Sequence, residues 1–365
     1  MINTALVTWA LLCLLVFVLM LSLLTVAVRG ARMYRRRRRE RIAAPVRGLL
    51  LELLCAAEDE QDELLGRLAR IDKRTWAALD PTVAAMLGKV SGRARSALVR
   101  LYELRGAADE AVARLGSRSA ARRGRAAHVL GQLSHRPAAL AVCRLLDDRD
   151  RDVRLAAARA LGRTGDPVAV PHLLRSLRGA RTVPPNVVTA ALTSLGRDAW
   201  PAVAAGLRDP EPLVRAVAIE ALGMTGAISR AAEVARALRE DADIEVRIRA
   251  ARALGRLGMP DGLPPLLAAI RPGRPVAQRI VAAGALGSLG AVAATGPLTE
   301  LLGDRNPHVA GAAARALLRL GPAGEAALRE AADGRPGPAA AQARAALAEA
   351  AVGGARHDVL VEVAL

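Results

Sequence analysis

Apolar positions in this chain follow two regimes. From Ala5 to Val28 there is no charged residue. A helix of that length rises about 36 Å, enough to cross a ~30 Å hydrocarbon layer with some tilt. Beyond residue 41 the apolar residues come in helical blocks that end near glycine. Aligned on the glycine that follows a leucine, the blocks fall at Gly131, Gly162, Gly196, Gly223, Gly255 and Gly287, with Leu318 in the last copy. The spacings are 31, 34, 27, 32, 32 and 31 residues.

Two further columns hold in every copy. One place before the anchor stand Leu130, Leu161, Leu195, Leu222, Leu254, Leu286 and Leu317. Five places before it stand Ala126, Ala157, Ala191, Ala218, Ala250, Ala282 and Ala313. Positions four apart share one helix face. The alanine lets a neighbouring helix come close, and the leucine fills the space between layers. A glycine-rich stop follows, as at Gly162 and Gly165 or Gly255 and Gly258. Proline then opens another apolar helix, as at Asp166-Pro167. Two helices per ~31 residues, stacked, make an α-solenoid.

The unit D-x4-V-R-x2-A-A-x-A-L-G-x-x-G, best seen from Asp148, Asp209 and Asp241, resembles a HEAT repeat of the short kind found in phycobilin-lyase-like proteins. The resemblance covers residues 120–333. It implies an all-α fold: an α-solenoid of HEAT-like helical hairpins, preceded here by a single transmembrane helix. It also implies a structural ladder of hydrogen bonds between neighbouring repeats. In this chain the ladder maps onto Asp148 with Arg154, Asp209 with Arg215, and Asp241 with Arg247. Arg123 and Arg279 keep only the arginine, and Val188 and Ala310 replace it. Residues 180–208 are then the irregular repeat, with a local bend expected at Val183-Pro184-Pro185.

The expected organisation is an N-terminal tail (1–4), a transmembrane helix (5–28), a basic juxtamembrane segment (29–41) and divergent helical N-terminal repeats or cap (42–118). The HEAT-like array (119–333), a C-terminal capping helix (334–352) and a tail (353–365) follow. In the tail, Val359, Val361, Val363 and Leu365 alternate with a strand-like period. Two readings stand: a loose end on the last repeat, or a docking peptide that adds a strand to another protein.

Composition narrows the chemistry. One Phe, two Tyr and three Trp exclude an aromatic core, so Ala, Leu and Val must build the interior. The net charge of +18 is uneven: residues 29–41 carry eight Arg against Glu40, residues 119–200 sum to +8, and residues 201–270 to zero. The Arg35–Arg39 block follows the apolar run, so the positive-inside rule puts the C-terminal side in the cytoplasm. The run is too long, and its preceding segment too poor in charge, for a cleaved signal peptide. The expectation is a single-pass protein of the inner or plasma membrane, attached through residues 5–28 and Arg35–Arg39.

No catalytic constellation stands out. There is no phosphate-binding glycine loop, no nucleophile elbow, and no metal-ligand spacing among His128, His135 and Cys143. No cofactor and no metal are expected. Three places before the anchor the residue varies freely, which marks a solvent-facing column. With the basic start of the array, this gives a candidate partner-binding surface at Arg122, Arg123, Arg125, His128, Arg159 and Arg252. The expected function is a membrane-anchored scaffold that binds, positions or regulates a partner protein, such as a membrane-bound enzyme, with no enzymatic activity of its own. The alternatives are a lyase-type enzyme, by analogy with the phycobilin-lyase-like proteins, and a basic-groove nucleic-acid binder. The latter is disfavoured because outside the N-terminal segment only Trp76, Tyr102 and Trp200 are available for stacking.

Overall fold

A computed structural model describes residues 4–362, and every described element is helical. Contacts divide the chain into two compact units that meet in sequence at Asp109 and Glu110.

The first unit holds α1 (Thr4–Cys55), α2 (Glu58–Ala69), α3 (Lys73–Leu87) and α4 (Gly92–Leu104). Its core is Leu50, Leu53, Leu65, Leu68, Leu79, Val83, Leu98 and Leu101, each essentially inaccessible. Asp72 caps α3 by accepting from the backbone N–H groups of Arg74 and Thr75. Arg105 closes the other end of α2, donating to the carbonyls of Leu68, Ala69 and Ile71. Its guanidinium lies 4.3 Å from the centre of the Trp76 ring. Trp76 meets Tyr102 edge to face at 5.4 Å, and the Tyr102 hydroxyl donates to Asp80 at 2.7 Å. Burial and Asp80 push the Tyr102 pKa up, so the phenol stays protonated.

The transmembrane span expected over residues 5–28 is not supported as a separate element. Among the described residues no helix is long and apolar enough to cross a membrane. The side chains of several residues in that run lie outside the described set. No helix end separates the apolar run from the arginine block, so α1 continues through both and buries Leu50 and Leu53 near its far end.

The second unit is a two-layer array. It follows α5 (Ala107–Arg114) and begins with α6 (Ala120–Gln132) and α7 (Ala139–Cys143). It continues with α8 (Arg151–Thr164), α9 (Ala169–Arg175), α10 (Pro185–Ser194) and α11 (Trp200–Ala205), then α12 (Pro212–Met224), α13 (Ala231–Glu240), α14 (Ile244–Leu257) and α15 (Leu263–Ala269). It closes with α16 (Val276–Leu289), α17 (Thr295–Glu300), α18 (Pro307–Arg319), α19 (Pro322–Asp333) and α20 (Pro338–Glu362). The long helices α6, α8, α10, α12, α14, α16 and α18 pack side by side as one layer. The helices between them are mostly shorter, flanked by 3-10 turns, and form the other. Proline enters several of these in the first turn, where the missing N–H costs no hydrogen bond.

All seven members of the alanine column and all seven of the leucine column are buried. Five of the anchor glycines are not the helix stops the sequence suggests, whereas Gly196, with φ of 88°, does follow the end of α10. Gly131, Gly162, Gly223, Gly255 and Gly287 lie inside their helices, each against the next long helix. A Cβ on Gly255 would stand 2.8 Å from the Cα of Ala285, and one on Gly131 2.6 Å from the Cα of Ala160. Helix termination falls to the second glycine: Gly165, Gly258 and Gly290 have φ of 65°, 67° and 72°.

α20 packs on α18 and α19 through Ala340, Ala343 and Ala346. It continues to Glu362 through Val359 and Val361, so the strand-like reading of the tail does not hold there. An isolated strand leaves its backbone groups unpaired, and the helix satisfies them locally. Val363 and Leu365 lie outside the described residues.

Candidate functional surface

The Asp–Arg ladder forms, but with a different pairing from the one read in the sequence. Each aspartate takes its side-chain partner from the preceding repeat. Arg123 grips Asp148 with two bonds, Nε to Oδ2 at 2.7 Å and Nη2 to Oδ1 at 2.8 Å. Arg215 does the same to Asp241, both at 2.7 Å. Arg279 pairs with Asp304, and Arg178 with Asp209. Within a repeat the arginine donates only to backbone carbonyls: Arg154 to Asp148 at 2.8 Å, Arg215 to Asp209 at 2.9 Å, Arg247 to Asp241 at 2.7 Å. The aspartate also accepts the N–H two residues on, making the turn that leads into the next long helix.

The hydrogen bond from Arg123 holds Asp148 below the ordinary carboxylate range. At Asp241 and Asp304 burial raises the pKa, but the bonds from Arg215 and Arg279 outweigh it and the net shift is downward. Two rungs are altered. Arg247 meets Gln278 at 3.1 Å where an aspartate is expected. Arg154 finds no carboxylate in the irregular repeat, and its buried Nε has no partner. The arginine that should stand at Val188 is supplied instead by Arg178, three residues beyond the end of α9.

The variable column three places before the anchor lies on the outer face of the long-helix layer. His128, Arg159, Arg252 and Arg315 are exposed; Thr193, Glu220 and Gly284 are half-buried. Of the candidate surface residues, Arg122, Arg125 and His128 share an exposed face of α6, with Arg159 and Arg252 further along the layer. Arg123 does not join them, because its guanidinium is committed to Asp148. Partial burial of the His128 ring, with the Arg163 charge, lowers its pKa, so the ring is neutral at pH 7. One place after the anchor the sequence reading missed a second exposed column: Arg163, Met224, Arg256, Ser288 and Arg319. The signal was its four-residue spacing from the first column.

Cys143 is buried, and burial together with Asp166 pushes its thiol up to about 11. Among the described residues no three His, Cys, Asp or Glu converge as a metal site. A cleft of about 360 Å³ opens between α11 and α13, lined by Arg208, Arg230, Glu233 and Arg236 over Pro201 and Ala204. Arg230 and Glu233 pair across 3.1 Å, leaving the buried Nε and Oε2 atoms without partners.

The family profile for HEAT repeats matches residues 108–196, 200–278 and 232–295, together about half of the chain. Several solved structures are similar. The CpcE–CpcF complex of phycocyanin lyase from Nostoc sp. PCC7120 is 25% identical, over 66% of this chain and 94% of that one, with a TM-score of 0.30. Human deoxyhypusine hydroxylase is 22% identical over the same shares, with a TM-score of 0.28. Kap121p is 15% identical over 79% of this chain and 38% of its own, with a TM-score of 0.46. No curated protein matches.

Proposed function

The chain belongs to the HEAT-repeat family, and we propose that it is a scaffold whose long-helix layer binds a partner protein at a membrane. The observation that carries this reading is the conflict between order and variation along that layer. The alanine and leucine columns are fixed and buried, while the columns at −3 and +1 vary and face outward. A stack of repeats sharing one core presents such positions as a continuous surface, which suits recognition of an extended partner. The protein acts by positioning, not by chemistry on a substrate.

Attachment to a membrane is the finer part of the proposal, with the second unit in the cytoplasm. Its support is the uncharged run Ala5–Val28 and the exposure of large apolar side chains on α1. Trp9, Leu12, Phe17, Leu23 and Val26 are each more than half exposed. Patches of that size on a protein surface call for an apolar cover, and the arginines beyond them suit anionic headgroups.

Affinity purification of the full chain in mild detergent, after brief crosslinking in cells, tests the scaffold. A single stoichiometric partner is expected, and its absence contradicts the reading. Sedimentation of membranes in isotonic buffer tests the attachment. The chain should stay with the membrane pellet, and Leu19→Arg with Leu23→Arg should release it; release of the unaltered chain contradicts attachment.

A further inference from the structure

On α8, α14 and α18 the two outward columns are both arginine: Arg159 with Arg163, Arg252 with Arg256, Arg315 with Arg319. All six are exposed and none makes an ion pair among the described residues. Like charges four apart on a helix repel and destabilise it. On α5 and α19 the same spacing carries opposite charges, in Glu110–Arg114 and Glu325–Arg329.

Carboxylates are nearly absent from the layer. Across its seven helices only Asp152, Glu220 and Glu245 occur, and Arg249 holds both glutamates. The arginine pairs thus stand uncompensated. Resting on the reading of this layer as the binding surface, we infer that its ligand is an acidic segment of a partner protein, lying across the long helices.

The geometry sets a register for that segment. Packed helices lie about 8–10 Å apart. α8 and α14 are three steps apart along the layer, so their arginine pairs are roughly 25–30 Å apart; α14 and α18, two steps apart, are separated by roughly 20 Å. An extended chain advances about 3.3 Å per residue. Carboxylate clusters about eight and then six residues apart would meet the three pairs in turn. Between them the face is uncharged or mixed: Thr193, the Glu220–Arg249 pair and the exposed Met224. A nucleic-acid backbone, with an evenly repeated charge, would face a carboxylate and neutral helices there. A protein segment can place apolar residues against Met224 instead.

The test uses the full chain in nanodiscs and three probes at 150 mM salt. One is an 18-residue peptide with glutamate pairs at positions 1–2, 9–10 and 15–16 in a Ser/Ala/Met background. The second replaces each Glu by Gln, and the third is duplex DNA of equal charge. Fluorescence anisotropy should show the acidic peptide binding at least tenfold tighter than the glutamine peptide. R252E with R256E should weaken it at least tenfold. R144E with R175E, an equal charge change in the short-helix layer, should alter it less than twofold. Equal loss in both double variants, no preference over glutamine, or tighter binding of the duplex overturns the inference. Circular dichroism confirms that each variant is folded. Photo-crosslinking from position 224 in cells separates this inference from the scaffold reading. A partner caught there through a neutral or basic segment overturns the acidic ligand and leaves the scaffold standing. No protein caught contradicts both.

Discussion

At the scale of single residues, the array rests on what is missing from Gly131, Gly162, Gly223, Gly255 and Gly287. Each brings two helix backbones close enough that one methyl group would collide. Gly255→Ala should therefore cost about 1–3 kcal/mol, although alanine is the better helix former. Gly66→Ala, on α2 with open space around the Cβ, should be neutral or slightly stabilising. Urea unfolding of the two variants checks the pair. The column was visible in the sequence, but its role was not: a glycine near a helix end suggests a stop, and only the neighbour across the interface distinguishes a stop from a close approach.

The ladder aspartates give a second residue-scale prediction. Their folded pKa values lie below the ordinary 3.8, so their contribution is full above that value and is lost as pH falls through the folded one. Stability should be flat in this respect from pH 7 to about pH 5 and fall below about pH 4. Denaturation midpoints across that range measure it. Asp241→Asn should flatten part of the acid limb, and an unchanged limb in that variant contradicts the assignment.

At the scale of the element, the repeat is a hairpin, and three of the junctions between repeats carry a bidentate ion pair, Arg123–Asp148, Arg215–Asp241 and Arg279–Asp304. Removing half of a mostly buried pair strands the other half. Arg215→Leu should cost on the order of 3 kcal/mol. Arg154→Leu should cost clearly less, because Arg154 has lost its carboxylate to the irregular repeat. Elsewhere the pairing aspartate sits two residues before the helix cap, a position filled by Thr182 ahead of α10. Thr182→Asp should complete the rung and stabilise the array by about 1 kcal/mol, read as a raised melting temperature that Arg154→Leu cancels. The existence of the repeats and their period were legible from spacing, and the irregular copy at Val188 from the ladder that the HEAT resemblance implies. The direction of the ladder was not, because Asp148 lies closer in sequence to Arg154 than to Arg123. The outward column at −3 was likewise legible, but Arg123 was counted as exposed because its partner lies 25 residues away.

At the scale of the whole molecule, the fold class and the Ala/Leu/Val interior followed from composition and period. The helical course of residues 353–362 did not, since alternating valines fit either state when no neighbour is visible. The cysteines provide a probe of placement. Cys55 is exposed, whereas Cys143 is buried with its thiol pKa raised to about 11. Maleimide should label Cys55 in the native protein and reach Cys143 only after denaturation. In intact cells, labelling of Cys55 should require permeabilisation if the chain beyond the arginine block is cytoplasmic.

The central claim is that the long-helix layer carries the partner. Site-specific photo-crosslinking in cells tests it most directly, with one probe at position 224 on α12 and another at position 140 on α7, both exposed. The account predicts a single discrete adduct from position 224, lost with R159E, R163E, R252E and R256E, and none from position 140. An adduct from position 140 alone, or one from position 224 that survives those four reversals, would contradict it.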